Sequence, residues 1–560
     1  MTGVVTVPPS YHDDVDPEAY DAALASKAAT LRARFAPLLH PRGGVSDPRN
    51  DADVNAAAGG AAAAVEGALE RHAGISCPGW VEPEVFPSPP VHFRSRCRFA
   101  VVREDVEPTG SDAMSDATTS AAVGIVDVSR CRAPRPRLGY RLWENGGPNA
   151  RVDDGFPMAL ESINGIMPAV LRLVEAEEAL SDGIEAVHFL AARGGGMLVT
   201  LVYSSGIGEA WRRAAREMRN ALAAHLPAAE PSGDASVDDD ARRTTLNVLG
   251  RSRGVAMLAP NDDVENGAAA NYVVETLRLS DGRALTYKQA EGAFSNPNAY
   301  MAESTLEWLC DCSRTVIKDA LARRTDRGER TDAGAGSANS SGAEAPDASE
   351  RLPSLLELYS GNGNHTVALA GMYRHVAAVE LSEVLCDAAR DNLRRNGVHN
   401  ALVLHSPSEK VARGMLRRKT TKMRERSDAE VSASGSAPSV EAERVADASD
   451  GAGCVKDGRA SFDVDDYDVV LVDPPRAGLD KDTLELVSRF EAVLYISCNP
   501  AALLDNALGG RAGGRDGGET REAGMAGLSK THDLVRFAVF DHFPYTRHVE
   551  CGACFLRRPR

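Results

Sequence analysis

The sequence predicts an α/β protein: a doubly wound, mostly parallel sheet in the C-terminal half, preceded by an α+β block and broken by low-complexity loop insertions. Three observations lead there. From Asn296 onward, strand-like runs alternate with helical ones, as parallel strands joined by crossover helices do. Before about Lys288 the two kinds of stretch are mixed without that alternation. Finally, Ala229–Arg243, Thr331–Glu350, Asp428–Asp466 and Gly509–Gly527 are rich in small and charged residues and too poor in apolar ones to order themselves. We therefore expect two domains, residues 1–288 and 289–560, with disordered insertions at about 324–351, 415–466 and 509–528 in the second.

In the first block, YDAALASKAATLRARFAPLL and FPMALESINGIMPAVLRLVEAEEAL read as helices. HFRSRCRFAVVRE, GYRLWEN, EAVHFLAAR, GMLVTLVYS, ANYVVETLRL and ALTYKQ read as strands. The second block opens with a helix signalled by Leu306, Leu309, Ser313 and Val316. SLLELYS then leads into GNGNHTVALAGMY, and HVAAVELS into EVLCDAARDNLRRNG. NALVLHS, YDVVLVDPP and AVLYISCNP follow. LVRFAVFDHFPYTRHVECGACFLRR closes the chain as a hairpin that sets one antiparallel strand in the sheet.

The net charge of −17 is unevenly spread. Ala229–Arg243, Thr331–Glu350 and Asp428–Asp466 carry −3, −4 and −7, together −14, which leaves the rest close to −3. Basic clusters remain in that rest, FRSRCRF at Phe93–Phe99 and SRCRAPRPRLGYR at Ser129–Arg141, so an RNA-binding face is permitted although solvated surface reads the same way. The ten cysteines are irregularly spaced and the acidic start MTGVVTVPPSYHDDVDPEAY is unlike a leader, so free thiols and a cytoplasmic protein are expected, organellar targeting aside. No run approaches the roughly twenty apolar residues of a membrane span.

Several motifs fall at strand ends, where open α/β sheets bind ligands. The first strand of the second block runs into Gly361-Asn-Gly363-Asn364, which lets backbone approach a ligand, and Glu380 ends the next strand 19 residues beyond Gly361, a separation suited to ribose hydroxyls. A dinucleotide loop would place a third glycine at Thr366, and its absence favours S-adenosylmethionine, which brings no pyrophosphate. Asp473-Pro474-Pro475-Arg476 ends a later strand, and two prolines make a stiff turn against which a planar base can slide. AVLYIS ends on Cys498 before an Asn-Pro turn, which pushes the thiol into the same crevice; a packed core thiol is the alternative.

On FSNPNAYMAESTLEWL, LLELYSGNGN, VAAVELS, DPPRAGLD, YISCNP and FPYTRHVECG, the second block resembles the uracil-C5 RNA methyltransferase family. With DGFPMALESINGIMPAVL and FRSRCRF, nearly everything outside the insertions resembles its tRNA branch, the tRNA (uracil-5-)-methyltransferases that make ribothymidine in the T-loop. The resemblance implies a Rossmann-like methyltransferase sheet behind a tRNA-binding domain, S-adenosylmethionine as methyl donor and uridine-54 of tRNA as target. It implies Cys498 as nucleophile on uracil C6 and Glu550 as the base that removes the C5 proton. Arg476 stands where a cation could lower the thiol pKa or hold the ring's negative charge. Tyr359, Asn364, Glu380, Asp473 and Asn296 are implied to hold the donor. At Asn296 the chain departs from the family's Phe-x-Gln-x-Asn by one methylene, reading Phe294-Ser-Asn296-Pro-Asn298.

Cys551 and Cys554 have no second pair at zinc-ligand spacing and read as packed thiols, as do Cys310 and Cys312. The first block lacks the cysteine cluster of iron-sulfur relatives that act on ribosomal RNA, so no metal or cluster is expected and tRNA is favoured. A cytosine-C5 enzyme would carry Pro-Cys where Pro474-Pro475 stands. A ribosomal uracil enzyme and a catalytically idle RNA-binding module stay open. No obligate protein partner is evident, and a monomer is expected.

Overall fold

The computed structural model describes residues 15–39, 81–104, 137–144, 147–152, 155–223, 246–260, 270–293, 295–326, 352–417, 466–509 and 526–559. It divides into two compact units, one holding Pro17–Pro89 with Thr276–Arg560, the other Pro90–Glu275. This corrects the single cut expected at residue 288: helix α1 (Tyr20–Leu39) and strand β1 (Glu84–Phe86) belong with the C-terminal half. The cause lies in packing. Leu31, Phe35 and Leu39 of α1 are buried among residues of the C-terminal sheet, and β1 adds to that sheet's edge beside β16 (His532–Phe540). A helix-like run does not reveal which core will bury its apolar face.

The unit Pro90–Glu275 is built on a seven-stranded sheet of order β4-β3-β2-β5-β6-β7-β8. Its strands are β2 (Arg96–Glu104), β3 (Arg137–Glu144), β4 (Gly147–Arg151), β5 (Ile184–Ala191), β6 (Met197–Tyr203), β7 (Asn247–Ser252) and β8 (Val255–Leu258). Helices α2 (Glu161–Ala176), α3 (Glu178–Ser181) and α4 (Glu209–Ala223) accompany it. Phe99, Tyr140 and Phe189 meet through tilted and edge contacts on one face, as strand alternation requires. Strands β4, β7 and β8 went unread in the sequence; β7, NVLGRS, is short and its glycine argues against a strand. At Gly250 the gap is functional to packing, since a Cβ there would lie 2.5 Å from the Trp211 ring.

Strands β9 (Tyr272–Arg278) and β10 (Ala284–Ala290) form a two-stranded ladder. The larger unit's sheet has eight strands in the order β1-β16-β17-β15-β14-β11-β12-β13. Strands β11 (Leu355–Leu358), β12 (Val376–Glu380), β13 (Ala401–His405), β14 (Val469–Val472) and β15 (Ala492–Ser497) pair parallel. β17 (Glu550–Arg557) runs antiparallel between β15 and β16, the one reversed strand expected. Helices α5 (Ala299–Asp326), α6 (Asn364–Leu369), α7 (Glu383–Arg395), α8 (Lys481–Val487) and α9 (Pro500–Leu508) connect and cover the strands. β11, β14 and β15 are buried throughout, the continuous apolar signature of strands covered on both faces.

Two expected insertion boundaries shift, because α5 reaches Asp326 and a helix over 408–417 ends at Arg417. Residues 327–351, 418–465 and 510–525 of those insertions lie outside the described residues. No described helix is long and apolar enough to cross a membrane.

Candidate active site

From β11 the chain moves outward through β12 and β13, then returns to lay β14 on β11's other side, so strand order switches between β11 and β14. Such a switch opens a crevice at the strands' carboxyl ends. Tyr359 leaves β11 with a left-handed φ of 63°, rare for a residue with a Cβ and held here by neighbours. Its N–H donates to Ser408 Oγ at 3.2 Å and its hydroxyl to Glu409 Oε1 at 3.2 Å. The Gly361 N–H donates to Glu380 Oε2 at 3.0 Å, and the Ser382 N–H donates to Oε1 at 2.7 Å. One carboxylate thus ties the loop after β11 to the turn after β12, and each oxygen keeps a lone pair for another donor.

Gly363, φ 77°, caps α6, and a Cβ there would stand 3.2 Å from that of Ala389, so α6 and α7 approach closely only with glycine. Nothing lies within 4 Å of where a Cβ would project from Gly361, which leaves space before the loop. Asn364 opens α6, its carbonyl accepting from the Tyr287 hydroxyl at 3.0 Å.

Asp473 and Cys498 directly follow β14 and β15, neighbouring parallel strands. The β15–β17 ladder ends at Ser497 opposite Cys551, so one step further sets Cys498 against Glu550. Asn499 fixes the turn: its side-chain oxygen accepts from the Ala501 N–H at 3.1 Å and its amide donates to the Arg476 carbonyl at 2.8 Å. Arg476 therefore touches this turn through its backbone, while its side chain is exposed.

Electrostatics around the thiol run against the simplest expectation. Burial pushes the Cys498 pKa up, the carboxylates of Glu550 and Asp473 push it further, and the Arg476 charge pulls down without prevailing. Burial and then Asp473 push Glu550 up to about 8, with His365 opposing. Its side chain is 18% exposed, so its carboxyl titrates near neutrality while still reaching the crevice. Asp473 is raised too, by burial first, against His365.

Two histidines in the site were not read from the sequence. His365 sits with Nδ1 3.5 Å from Glu357 Oε1, and Thr366 Oγ1 donates to Glu357 Oε2 at 2.5 Å. Burial pulls its pKa down, but Glu357, Asp473 and Glu550 push it above the usual value. His542 is fully buried, with Nε2 3.0 Å from Glu550 Oε2 and Nδ1 2.9 Å from the Asn296 amide nitrogen. Its proximity to the carboxylate was hidden because the turn between β16 and β17 folds it back, and only the Phe540–Glu550 register reveals it.

Tyr359, Asn364, Glu380 and Asp473 thus follow or end neighbouring strands of one sheet edge, and Cys498 and Glu550 lie one step beyond the last β15–β17 pair there. Asn296 is turned toward His542, ahead of Asn298, whose side-chain oxygen accepts from the Met301 N–H at 3.2 Å to cap α5. Cys551 and Cys554 are buried on β17, and Cys310 and Cys312 on α5.

Known proteins resemble the chain over most of its length. Residues 137–331, 344–428, 441–510 and 517–558 match the family described as tRNA (Uracil-5-)-methyltransferase. The chain is 30% identical over 480 residues to a tRNA/tmRNA (uracil-C(5))-methyltransferase of Ectopseudomonas mendocina, covering 85% of this chain and 91% of that one. It is 28% identical over 546 residues to the enzyme of the same name from Pseudomonas entomophila, covering 97% and 99%. Among solved structures it aligns with Pyrococcus abyssi tRNA (uracil-54, C5)-methyltransferase in complex with S-adenosyl-L-homocysteine, at 15% identity and a TM-score of 0.47, covering 96% of this chain and 83% of that one.

Proposed function

Because this chain belongs to the tRNA (uracil-5-)-methyltransferase family, we propose that it methylates C5 of uridine-54 in the T-loop of tRNA, giving ribothymidine, through a covalent bond from Cys498 to C6. The observation that carries this reading is the strand register opposing Cys498 to Glu550 beside Asp473. Uracil C5 is a weak carbon nucleophile. Cys498 loses its proton to solvent and adds as thiolate to C6, which moves electron density onto C5. Once C5 carries the methyl group, Glu550 takes the C5 proton, the electrons re-form the C5–C6 double bond and the thiolate leaves.

The raised thiol pKa makes this order consistent, since burial disfavours a free thiolate and adduct formation removes that charge. Arg476, whose charge pulls the Cys498 pKa down, eases the first step.

The residues fit S-adenosylmethionine: the open space before Gly361 admits a ligand, and the remaining lone pairs of Glu380 suit ribose hydroxyls. Tyr359, Asn364, Glu380 and Asp473 would hold it, with Asn296 reaching from before α5. Bound there, it supplies the methyl group.

The unit Pro90–Glu275 takes the tRNA in this reading, as was expected of residues 1–288. Strand alternation and register put Arg96 and Arg98 of β2, Arg141 of β3 and Arg251 of β7 on one face of its sheet. His188, opposite Arg98, is pushed down to about 4 by burial and then by Arg98, Arg251 and Arg96, which shows that positive field. Such a face suits phosphates. The test is to incubate the protein with unmodified tRNA, and separately ribosomal RNA, in the presence of labelled methyl donor, and to map the product base. Methyl at C5 of the T-loop uridine is expected; label only in ribosomal RNA, or none, overturns the assignment.

A further inference from the structure

We propose that His542 is the positioning residue of the base: its neutral ring, held in one tautomer by Asn296, donates from Nε2 to Glu550 and aims the carboxylate's other oxygen at the substrate. The inference rests on the reading of Glu550 as the base. The hydrogen bonds fix the tautomer from both sides of the ring. On the Nδ1 side, the backbone N–H of Asn298 donates to Asn296 Oδ1 at 3.0 Å, so that oxygen is committed as acceptor. The Asn296 amide nitrogen, 2.9 Å from His542 Nδ1, must then donate, and Nδ1 accepts. Asn296 Oδ1 also lies 3.1 Å from Nδ1, but a ring N–H there would face the amide hydrogens as well, with no gain.

The Nε2 side gives the same answer independently. Two atoms approach it, Glu550 Oε2 at 3.0 Å and Thr305 Oγ1 at 3.2 Å. The threonine hydroxyl donates its hydrogen to the Met301 carbonyl at 2.8 Å, which leaves its oxygen an acceptor toward the ring. With Glu550 ionised, the state in which it acts as base, both are acceptors and require a proton on Nε2. Burial and the neighbouring His365 charge keep the ring from taking a second one.

The consequence is directional. With Oε2 engaged, Oε1 is the oxygen left to take the C5 proton, and the carboxylate cannot turn away after each turnover. A ring that merely filled space would not discriminate which of its two nitrogens a replacement reproduces. Glutamine places an amide where Nε2 stands, and asparagine places one where Nδ1 stands.

The experiment forms the covalent adduct with tRNA in a single turnover, then follows its release in wild type, His542→Gln, His542→Asn and His542→Ala, with donor binding measured for each. His542→Ala and His542→Asn should attach tRNA but release it at least about 10-fold more slowly, as expected when a general base is misplaced, while His542→Gln should stay within about 3-fold of wild type. Loss of the Nε2 donor also removes a bond that favours the ionised carboxylate, so the pH at which release switches on should move up in His542→Asn and not in His542→Gln. The groups facing Glu550 that set that profile are Asp473 after β14, Cys498 after β15 and His365 of α6. Equal release in the Asn and Gln variants, or wild-type release in His542→Ala, overturns the proposal. Should the Ala variant not fold, the Gln–Asn contrast decides. Wild type that forms no adduct at all would sink the covalent reading instead, which keeps the two failures distinct.

Discussion

The two sides of the crevice are built differently. On the side proposed for the cofactor, Glu380 is held by backbone amides of Gly361 and Ser382, on turns directly after β11 and β12. On the base side, Glu550 is held by His542, and His542 by Asn296, 246 residues away along the chain. One side is made of local backbone geometry and the other of buried titratable side chains brought together by tertiary structure. The first should tolerate small losses gracefully, whereas the second concentrates consequence in single atoms.

The sharpest break of that contrast is expected at Cys498. Cys498→Ala should abolish product and adduct while donor binding and tRNA binding persist, a loss of at least about 10⁴-fold in turnover if nothing else activates C5. Residual turnover near wild type would reduce Cys498 to a packed thiol. Glu550→Gln should fail at a different point. It still attaches and methylates, so a covalent protein–RNA species should accumulate on a denaturing gel while turnover falls by about 10²-fold or more. The absence of any such species would remove Glu550 from the release step.

That division also marks what could be read from the sequence. The strand-end placement of the residues proposed for the cofactor was legible because they are consecutive with strands whose apolar runs announce them: LLEL then Tyr359, VAAVE ending on Glu380, VVLV then Asp473. The pairing of Cys498 with Glu550 came only through the family resemblance, since nothing local connects residues on β15 and β17. His542 and His365 gave no signal at all. A histidine in FDHFPYT or GNGNHT looks like a turn residue until the ladder between β16 and β17 and the burial of α6 place it against an acid. The domain boundary failed for the same reason, because α1 shows an apolar face but not its partner.

A smaller effect sharpens the claim that the base side stores electrostatic cost. Glu550 is raised from 4.5 to about 8, so between those values the folded protein keeps a proton that the unfolded chain releases. Stability therefore falls as pH rises through that window. Glu550→Gln removes this slope: the variant's unfolding free energy should gain on that of wild type from pH 5 to pH 9, by on the order of 1 to 3 kcal/mol after allowance for the carboxyl's partial exposure. A difference independent of pH would show that the carboxylate is not the source.

RNA contact at the arginine face proposed in the unit Pro90–Glu275 should respond to salt rather than pH. Arg98→Glu, on an exposed position of β2, should weaken tRNA binding by about 1 kcal/mol and lower the salt dependence of affinity by roughly one phosphate contact. Donor binding should not change. An unaltered salt slope would place the RNA elsewhere.

Asn296 is where the two sides meet, and it carries the smallest expected effect on binding. Its amide has one hydrogen committed to His542 and one remaining, so a bond to the methyl donor and the bond to the ring are compatible in a single side chain. Asn296→Ala should therefore weaken donor binding by one hydrogen bond, about 0.5 to 1.5 kcal/mol, and should also slow adduct release, because Nδ1 of His542 loses the donor that fixes its tautomer. Asn296→Gln restores the longer amide of the family pattern and should bind the donor equally well or better. Calorimetry on the donor and gel kinetics on the adduct read the two roles separately. If Asn296→Ala slows release but binds the donor as wild type does, then in this chain the shortened amide has passed from the cofactor side to the base side.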